Sequence, residues 1–460
     1  MHDSPSHAPN AAQAGASATP PAFVSVARDW TCPFCPLLCD DIEARVRDDQ
    51  TIAAPATNCP RLAQALTHFG AADSDCAPSL DGQPVSRETA LARAAQMLAH
   101  AHRPLFGACA TDVAGARALY ELAAGCGAIL DTLHGAALGA ATLALQDRGA
   151  LFTTLSEVRS RADLLIVFGC TPGAHHPRFY ERTLAGSTRA RDICFVACAT
   201  DPAAGEMPHA RCDAMLEHAS PYDVLALWSA LAEGRSPAAF ASGAEDVASI
   251  ATQLASLMAR IAAARYTVLV YEPAALPQPH AALLIEALHR IVKALNRTCR
   301  AGVLALGGAD GALTVNQAFT WLSGLPLATR VARHDRPEGA APLEHDPYRY
   351  RTERLLAARE IDALLWVTSF EPHPLPDTLD PQVPAIVLGP PALAERIAAR
   401  GAPTVFIPVA TPGIDGNGHL FRLDTSVVAP LAAARQVNLP SVAELAADLA
   451  ERVAAQRRPS

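Results

Sequence analysis

The segment Leu164–Gly169 reads LLIVFG, five apolar residues followed by a glycine. Its apolar character is continuous rather than alternating, which is typical of a parallel strand that helices cover on both faces. Runs of the same kind recur along the rest of the chain, at Ile193–Cys198, Tyr266–Tyr271, Val303–Leu306, Ala363–Val367, Ala385–Leu388 and Thr404–Ile407. We expect all of them to be buried strands of parallel sheets.

Segments with helical periodicity precede or separate these runs. They are rich in Ala, Leu and Arg and begin with Ser, Pro or a charged residue: Arg87–His100, Ser220–Ala232, Pro279–Leu295 and Pro391–Arg400. This alternation of strands and helices predicts a doubly wound, Rossmann-like α/β fold. Several predicted strands end in glycine, at positions 107, 169, 307, 308 and 389. Because ligands bind at the carboxyl edge of such sheets, we expect a ligand crevice there.

At 460 residues the chain is longer than one hydrophobic core usually supports. We predict a disordered lead over residues 1–25, which is rich in Ala, Ser and Pro, and a small cysteine-rich lobe over 26–75. A first α/β lobe is expected to combine 76–150 with 310–460, and a second α/β lobe to occupy 151–309. The charged stretch 332–350 and the glycine-rich stretch 411–423 are expected to be surface loops.

The composition excludes several classes of function. The formal net charge of −9 argues against nucleic acid as a partner, because a phosphate-binding surface normally carries a basic excess. No apolar run approaches the ~20 residues needed to cross a bilayer, so no membrane association is expected. Twelve cysteines without an export signal predict a reducing, cytoplasmic location.

Four cysteines form the sharpest local motif in the sequence. Cys32, Cys35 and Cys39 have the spacing Cys-x2-Cys-x3-Cys, and Cys59 follows in the tripeptide Asn-Cys-Pro. An iron–sulfur cubane needs four thiolates, of which a tight loop can supply three and a returning chain the fourth. A structural zinc site more often has a second Cys-x2-Cys knuckle, which is missing here. The motif predicts a [4Fe–4S]-type site, and the alternative is four reduced or zinc-bound thiols.

A cysteine head of this kind before a doubly wound body resembles the molybdopterin-dependent oxidoreductases, and further segments narrow the resemblance. From about Trp30 to about Asp424 the chain resembles the B-type subunits of the formylmethanofuran dehydrogenase family, in the form found in the methylotrophic formyltransferase/hydrolase complex. Five segments carry this likeness in the right order: Asp131–Gly149, Leu155–Arg159, Phe168–Arg178, Asn316–Trp321 and Gly413–Asp424.

The chain departs from that family where the active enzymes carry a Cys-His-Gly tripeptide. The resemblance implies that this cysteine ligates tungsten or molybdenum and that the histidine acts beside it. In this chain Ala137, Leu138 and Gly139 stand at those positions. Since an alanine methyl cannot coordinate a metal and a leucine cannot exchange a proton, we expect no catalytic residue there. Molybdopterin and tungstopterin are accordingly predicted to be absent.

The resemblance also implies a setting for the protein. The methylotrophic relatives move a formyl group between tetrahydromethanopterin and methanofuran-type carriers and release formate during formaldehyde oxidation. Their chemistry lies in an A-type metallo-hydrolase and a D-type formyltransferase, whereas the B-type subunit pairs with a C-type subunit. These three proteins are the expected partners, and His176 and Arg178 are expected to border a vestigial pterin region.

Two other functions compete with that of a non-catalytic subunit. One is an active molybdopterin or tungstopterin oxidoreductase with an unusual ligand set, which predicts about one molybdenum or tungsten per chain. The other is an electron-transfer module that retains only the iron–sulfur cluster, which predicts iron and a redox-active signal.

Overall fold

The computed structural model describes residues 22–186, 189–240, 244–333, 335–336, 338–339 and 341–457. Its strands are β1 (Phe23–Trp30), β2 (Ile42–Arg47), β3 (Ile52–Ala53), β4 (Ser79–Leu80), β5 (Gln83–Pro84), β6 (Pro104–Ala110), β7 (Ile129–Leu130), β8 (Leu164–Phe168), β9 (Arg191–Val196), β10 (Ala210–Met215), β11 (Thr267–Tyr271), β12 (Ala301–Ala305), β13 (Thr329–Val331), β14 (Leu343–His345), β15 (Ala363–Thr368), β16 (Ala385–Gly389), β17 (Thr404–Pro408), β18 (Gly418–Phe421) and β19 (Val428–Leu431).

The α-helices are α1 (Pro60–Leu66), α2 (Arg87–His100), α3 (Val113–Cys126), α4 (Gly135–Arg148), α5 (Leu155–Arg161), α6 (Pro172–His175), α7 (Phe179–Leu184), α8 (Pro202–Gly205), α9 (Pro221–Ala232), α10 (Glu245–Ala263), α11 (Ala281–Leu295), α12 (Ala312–Ser323), α13 (Thr352–Ala357), α14 (Ala394–Ala398) and α15 (Val442–Arg457). Short 3₁₀ helices lie at Ala71–Asp75, Pro237–Phe240, Pro273–Ala275 and Pro391–Leu393.

Two sheets dominate the fold. The first has the strand order β10-β9-β8-β11-β12, and all its strands are parallel. The second has the order β14-β13-β7-β6-β15-β16-β17-β4-β5, with a parallel centre from β7 to β17 and antiparallel pairs at both ends. All seven apolar runs singled out in the sequence are strands of these parallel regions, so the predicted α/β fold is confirmed.

Helices or the cysteine lobe cover the central strands of the large sheets, which explains why those strands are apolar, whereas edge strands such as β10 carry charged residues. Helices α9, α10 and α11 pack on one face of the five-stranded sheet, while the cysteine lobe and α7 pack on the other. Helices α2, α3, α12 and α15 cover one face of the nine-stranded sheet. None of the helices in the described ranges is both long and apolar enough to span a membrane.

Several local expectations differ from the structure. Residues 1–21 lie outside the described residues, but the lead does not extend to residue 25, because β1 already begins at Phe23 and pairs with β2. Gly107 lies inside β6 rather than at its end. The domain boundaries stay a prediction, although α4, which falls before the boundary at residue 150, buries Ala140 and Ala144 against the helices of the second lobe.

The stretch 411–423 is not an exposed loop. It contains β18, and Thr411 and Ile414 are fully buried. The cysteine lobe covers this stretch: the indole Nε1 of Trp30 donates to the carbonyl oxygen of Gly413 at 2.8 Å, and the amide of Leu423 donates to the carbonyl oxygen of Pro36 at 2.8 Å. The composition of this stretch predicted a surface loop and gave no indication that a distant segment buries it.

A buried guanidinium ties the cysteine lobe to the C-terminal part of the chain. The side chain of Arg435 is 1% exposed and lies between Asp415, with Nε to Oδ1 at 2.8 Å, and Asp73, with Nη2 to Oδ2 at 2.5 Å. It also donates to the carbonyl oxygens of Gln50 and Gly70. Removing one partner of such a buried network leaves the others desolvated without compensation.

We predict that Arg435→Met lowers the free energy of unfolding by about 3–5 kcal/mol, because Asp73 and Asp415 lose their buried counter-charge. Chemical denaturation of the purified chain measures this change. The matched control is Arg297→Met, which removes an exposed pair with Glu233 and is expected to change the same free energy by less than about 1 kcal/mol. Equal effects of the two substitutions would contradict the assigned role of Arg435.

Candidate functional site

A cleft of about 520 Å³ opens where the carboxyl ends of the two large sheets face each other. The loops after β8, β11 and β12 contribute His176, Glu272 and Gly307 from the five-stranded sheet. The loops after β7 and β15 contribute His134 and Glu371 from the nine-stranded sheet. In both sheets the strand order reverses next to this cleft, between β8 and β11 and between β6 and β15. These are the topological switch points at which doubly wound folds bind ligands.

Ala137 and Leu138 line this cleft from the first turn of α4. The two positions at which the sequence resemblance implies a substituted tripeptide therefore lie at the cleft. No cysteine is among the described residues that line the cleft. The lining therefore offers no thiolate to a metal, and it does not fit a tungsten or molybdenum centre that requires one.

A buried carboxylate lies at the far wall of the cleft. Asp310 is 3% exposed, and the carboxylate oxygen Oδ2 faces Nε2 of His373 at 3.3 Å and Nε2 of His134 at 3.9 Å. Its Oδ1 faces a guanidinium nitrogen of Arg61 at 3.6 Å and has no hydrogen-bond partner. Burial by itself would raise the pKa of Asp310, but the two imidazoles and the guanidinium outweigh it and hold the pKa well below its usual range.

Glu371 and His373 complete this cluster. A guanidinium nitrogen of Arg61 lies 3.3 Å from Oε1 of Glu371, and burial together with the charge of Asp310 raises the pKa of Glu371. Burial lowers the pKa of His373, but Asp310 and Glu371 raise it by more. Among the described residues, Asp310, Glu371 and His373 alone bring three potential metal-ligand atoms within 4.8 Å of one another.

Two adjacent histidines that follow β8 also line the cleft. His175 is paired through Nδ1 with Glu272 at 2.9 Å. His176 is 2% exposed, and neither of its ring nitrogens has a hydrogen-bond partner within the protein. Burial, Arg61 and His175 lower the pKa of His176 to about 3, so its ring is neutral at physiological pH. A neutral, buried imidazole can offer both a donor and an acceptor to a molecule in the cleft.

Arg178, the other residue predicted to border the pterin region, does not line the cleft. It makes two bonds of 2.7 Å to the carboxylate of Asp41 and a further pair with Glu181. Its neighbour Arg182 bonds Asp40. These arginines join α7 to the cysteine lobe, so the guanidinium of Arg178 is engaged within the protein.

The four predicted cluster ligands lie in the N-terminal lobe next to the cleft. Cys32, Cys35 and Cys39 are buried, and Cys59 is half-buried immediately before α1. The amide of Cys32 donates to the carbonyl oxygen of Cys39 at 2.9 Å, and Leu38 adopts a positive φ of 48°, which closes the loop. The four thiols are close enough that the other three raise the pKa of Cys32, although burial is the larger cause.

The cysteine site is buried but flanked by positive charge. Burial raises the pKa of Cys35 to about 12 and that of Cys39 to about 11. Arg61 opposes the rise at Cys35, and Arg178 and Arg182 oppose it at Cys39. Such guanidinium groups can offset the negative charge of a thiolate-bound centre. Arg61 thus lies between the cysteine site and the carboxylates of the cleft.

The thiol spacing bears on the choice between zinc and a cluster. In a tetrahedral zinc site, Zn–S bonds of about 2.3 Å hold the sulfur atoms within about 4 Å of each other. No three of the four thiols lie within 4.8 Å of one another in the described structure. A cubane holds its thiolates farther apart, since each binds a different iron. Four neighbouring thiols can serve as ligands of a cubane, which is the site that the sequence spacing predicts.

The sequence did not single out Arg61, His134, Asp310, Glu371 or His373. A usable signal existed for three of them, because Asp310 follows the predicted strand end at Gly307–Gly308 and Glu371 and His373 follow the predicted strand Ala363–Val367. Arg61 and His134 carry no such signal, since neither follows a predicted strand.

Comparison with known proteins agrees with the sequence resemblance. No family model matches the chain. The Fhc B subunit of the formyltransferase/hydrolase complex of Methylorubrum extorquens is 30% identical over 366 residues, which cover 80% of this chain and 94% of that protein. The B subunit of the tungsten-containing formylmethanofuran dehydrogenase 2 of Methanocaldococcus jannaschii is 25% identical over 421 residues, 87% of this chain and 92% of that protein.

Among solved structures, a chain of the formyltransferase/hydrolase complex FhcABCD from Methylorubrum extorquens, crystallised with methylofuran, matches with a TM-score of 0.67. It is 25% identical, and the match covers 83% of this chain and 99% of that chain. The predicted family is thereby confirmed: the chain belongs to the family formed by the B subunits of the formyltransferase/hydrolase complex and of formylmethanofuran dehydrogenase.

Proposed function

We propose that this chain is the B-type component of a cytoplasmic formyltransferase/hydrolase complex that serves one-carbon metabolism and formaldehyde oxidation, and that it is a non-catalytic scaffold. One observation carries the second part: Ala137 and Leu138 line the cleft at which the family's metal-ligand tripeptide would stand. A methyl group offers no electron pair to a metal, and an isobutyl group exchanges no proton.

No other described residue in the cleft takes the place of the tripeptide's cysteine and histidine as a ligand of tungsten or molybdenum. No thiol is among the described residues that line the cleft. Arg178 lies outside the cleft, where it is paired with Asp41 and Glu181. We therefore infer that the chain holds neither molybdopterin nor tungstopterin and that formyl transfer and hydrolysis occur in partner proteins of the complex.

The proposed partners are an A-type metallo-hydrolase, a C-type subunit and a D-type formyltransferase. The solved structure that this chain resembles is that of the FhcABCD complex. Coverage of 99% of the matching chain supports an equivalent place for this protein.

We predict that a tag on this chain recovers the three partners, and that the purified complex contains less than about one tenth of a tungsten or molybdenum atom per chain. Viologen-coupled oxidation of formate or of a formylated methanofuran-type carrier is expected to be absent, because the cleft lacks a metal-ligand thiolate. Elemental analysis and the viologen assay measure both quantities. About one tungsten or molybdenum per chain, together with viologen reduction, would identify an active oxidoreductase instead.

The same complex tests the scaffold role. Leu138→Ala enlarges the cleft without adding a functional group, so formate release by the complex is expected to stay within about twofold of the unmodified complex. Omitting this chain during co-expression is expected to leave the remaining components unassembled in size-exclusion chromatography. A loss of formate release of about tenfold or more in the intact Leu138→Ala complex would contradict the proposal.

We further propose that Cys32, Cys35, Cys39 and Cys59 hold a [4Fe–4S] cluster. The thiols are close enough that Cys35, Cys39 and Cys59 raise the pKa of Cys32, and three arginines offset negative charge around the site. When bound, the cluster supplies one-electron redox capacity. The chain's own contribution is to bury the thiolates and to place Arg61 between them and the cleft.

We predict about four irons and four sulfides per chain in protein purified without oxygen. Cys59→Ala is expected to remove most of this iron, since a cubane needs all four thiolates. The control is Cys299→Ala, which changes a cysteine outside the site and is expected to retain the iron. Iron and sulfide analysis and the visible absorption of the cluster are the measurements. A well-folded wild-type protein without iron, or iron that persists in Cys59→Ala, would refute the cluster.

A further inference from the structure

The carboxylates and the imidazole at the far wall of the cleft are arranged as a set of metal ligands. Oxygens of Asp310 and Glu371 and a ring nitrogen of His373 lie within 4.8 Å of one another. These residues come from the ends of two different sheets, Asp310 after β12 and the other two after β15. The fold itself therefore brings the three groups together.

Two buried atoms of this set, one on Asp310 and one on the half-buried His373, lack the hydrogen bonds that such groups normally have. Asp310 is only 3% exposed, and its Oδ1 has no hydrogen-bond partner. Nε2 of His373 likewise has none, although it faces Oδ2 of Asp310 at 3.3 Å. A buried carboxylate whose closest ionic neighbours are 3.3, 3.6 and 3.9 Å away leaves room for a closer ligand. An unmade hydrogen bond at a buried polar group is costly, and a bound cation would remove that cost.

A second feature of the same cleft points independently to a polar ligand. His176, which follows β8, is only 2% exposed, and both of its ring nitrogens are without hydrogen-bond partners. It belongs to a different element from the three clustered residues and is not paired with any of them. A metal-bound water or another ligand in the cleft would give this imidazole a partner.

The charge and the donor types indicate the class of ion. Two carboxylates face one guanidinium, that of Arg61, and Asp310 also faces the imidazoles of His373 and His134. With both imidazoles neutral, as a metal-bound His373 would be, the cluster carries a net negative charge that a cation would offset. Two carboxylate oxygens and one imidazole nitrogen suit first-row divalent ions such as Mn²⁺, Fe²⁺ and Zn²⁺ rather than soft, thiolate-seeking ions. Three protein ligands leave coordination positions open towards the cleft, as in catalytic rather than structural metal sites.

We propose that Asp310, Glu371 and His373 bind a first-row divalent cation at the wall of the cleft, with its open coordination positions directed towards the cleft. This site is separate from the four cysteines and from the tripeptide position at Ala137 and Leu138. It does not depend on the scaffold role, since a bound cation and an absent oxidoreductase activity are compatible.

Mn²⁺ alone is the suitable probe, because it prefers oxygen and nitrogen ligands and discriminates against the cysteine thiols. The full-length chain is stripped of loosely bound metal and titrated with Mn²⁺ while the electron paramagnetic resonance signal of the free ion is followed. We expect about one Mn²⁺ per chain, and we expect Asp310→Asn and His373→Gln each to weaken binding by about tenfold or more. Mn²⁺ is also expected to raise the unfolding temperature of the wild-type chain more than that of either variant.

The matched control is Glu272→Gln, which alters another buried carboxylate of the same cleft that is paired with His175 instead. Its affinity for Mn²⁺ is expected to stay within about twofold of wild type. Circular dichroism verifies that each variant is folded, and His373→Gln decides the outcome if Asp310→Asn does not fold. Absence of stoichiometric Mn²⁺ in the wild type, unchanged affinity in the two ligand variants, or an equal loss in Glu272→Gln would each overturn the site.

Discussion

The burial of parallel strands on both faces is the constraint on which this structure depends. A strand covered on both sides has few positions for a charged side chain along its length, so charged groups collect where the strands end. Both large sheets direct their carboxyl ends to the same cleft. Asp310, Glu371, His134 and His176 all follow such strand ends. The apolar pattern that forms the fold therefore also gathers the titratable side chains at the cleft.

The cleft and the cysteine site share one electrostatic element, Arg61. It follows Cys59 by two residues at the start of α1, so the chain that returns to the cysteine loop also delivers a guanidinium to the cleft. On one side it opposes the rise in the pKa of Cys35, and on the other it faces Asp310 and Glu371. A change in charge at either site consequently alters the pKa of the groups at the other, because partly buried charges are screened only weakly by solvent.

The sequence predicted the strands well because each carries its own signal. The helix Arg87–His100 was predicted with the bounds that the structure has, since Ser86 caps it with a side-chain bond to the amide of Thr89. The burial of 411–423 was not predictable from composition, because it results from Trp30 and Pro36 of a distant segment. At the site, the sequence alone could locate Ala137 and Leu138, because they lie in a motif whose order along the chain matches the family. The cluster of Asp310, Glu371 and His373 could not be predicted, because it forms only where the two sheets face each other.

The proposed absence of a ligand thiol does not by itself make the cleft inert. Ala137 and Leu138 make one part of the lining apolar, yet the rest keeps a buried carboxylate oxygen of Asp310 and a neutral imidazole without hydrogen-bond partners. Buried polar groups without partners each cost roughly 1–3 kcal/mol, so a cleft that only filled space would be more stable with apolar lining. The polar walls are thus a stability cost that a bound ion or molecule would offset. On physical grounds, a scaffold role for this chain and a ligand in its cleft are complementary rather than competing descriptions.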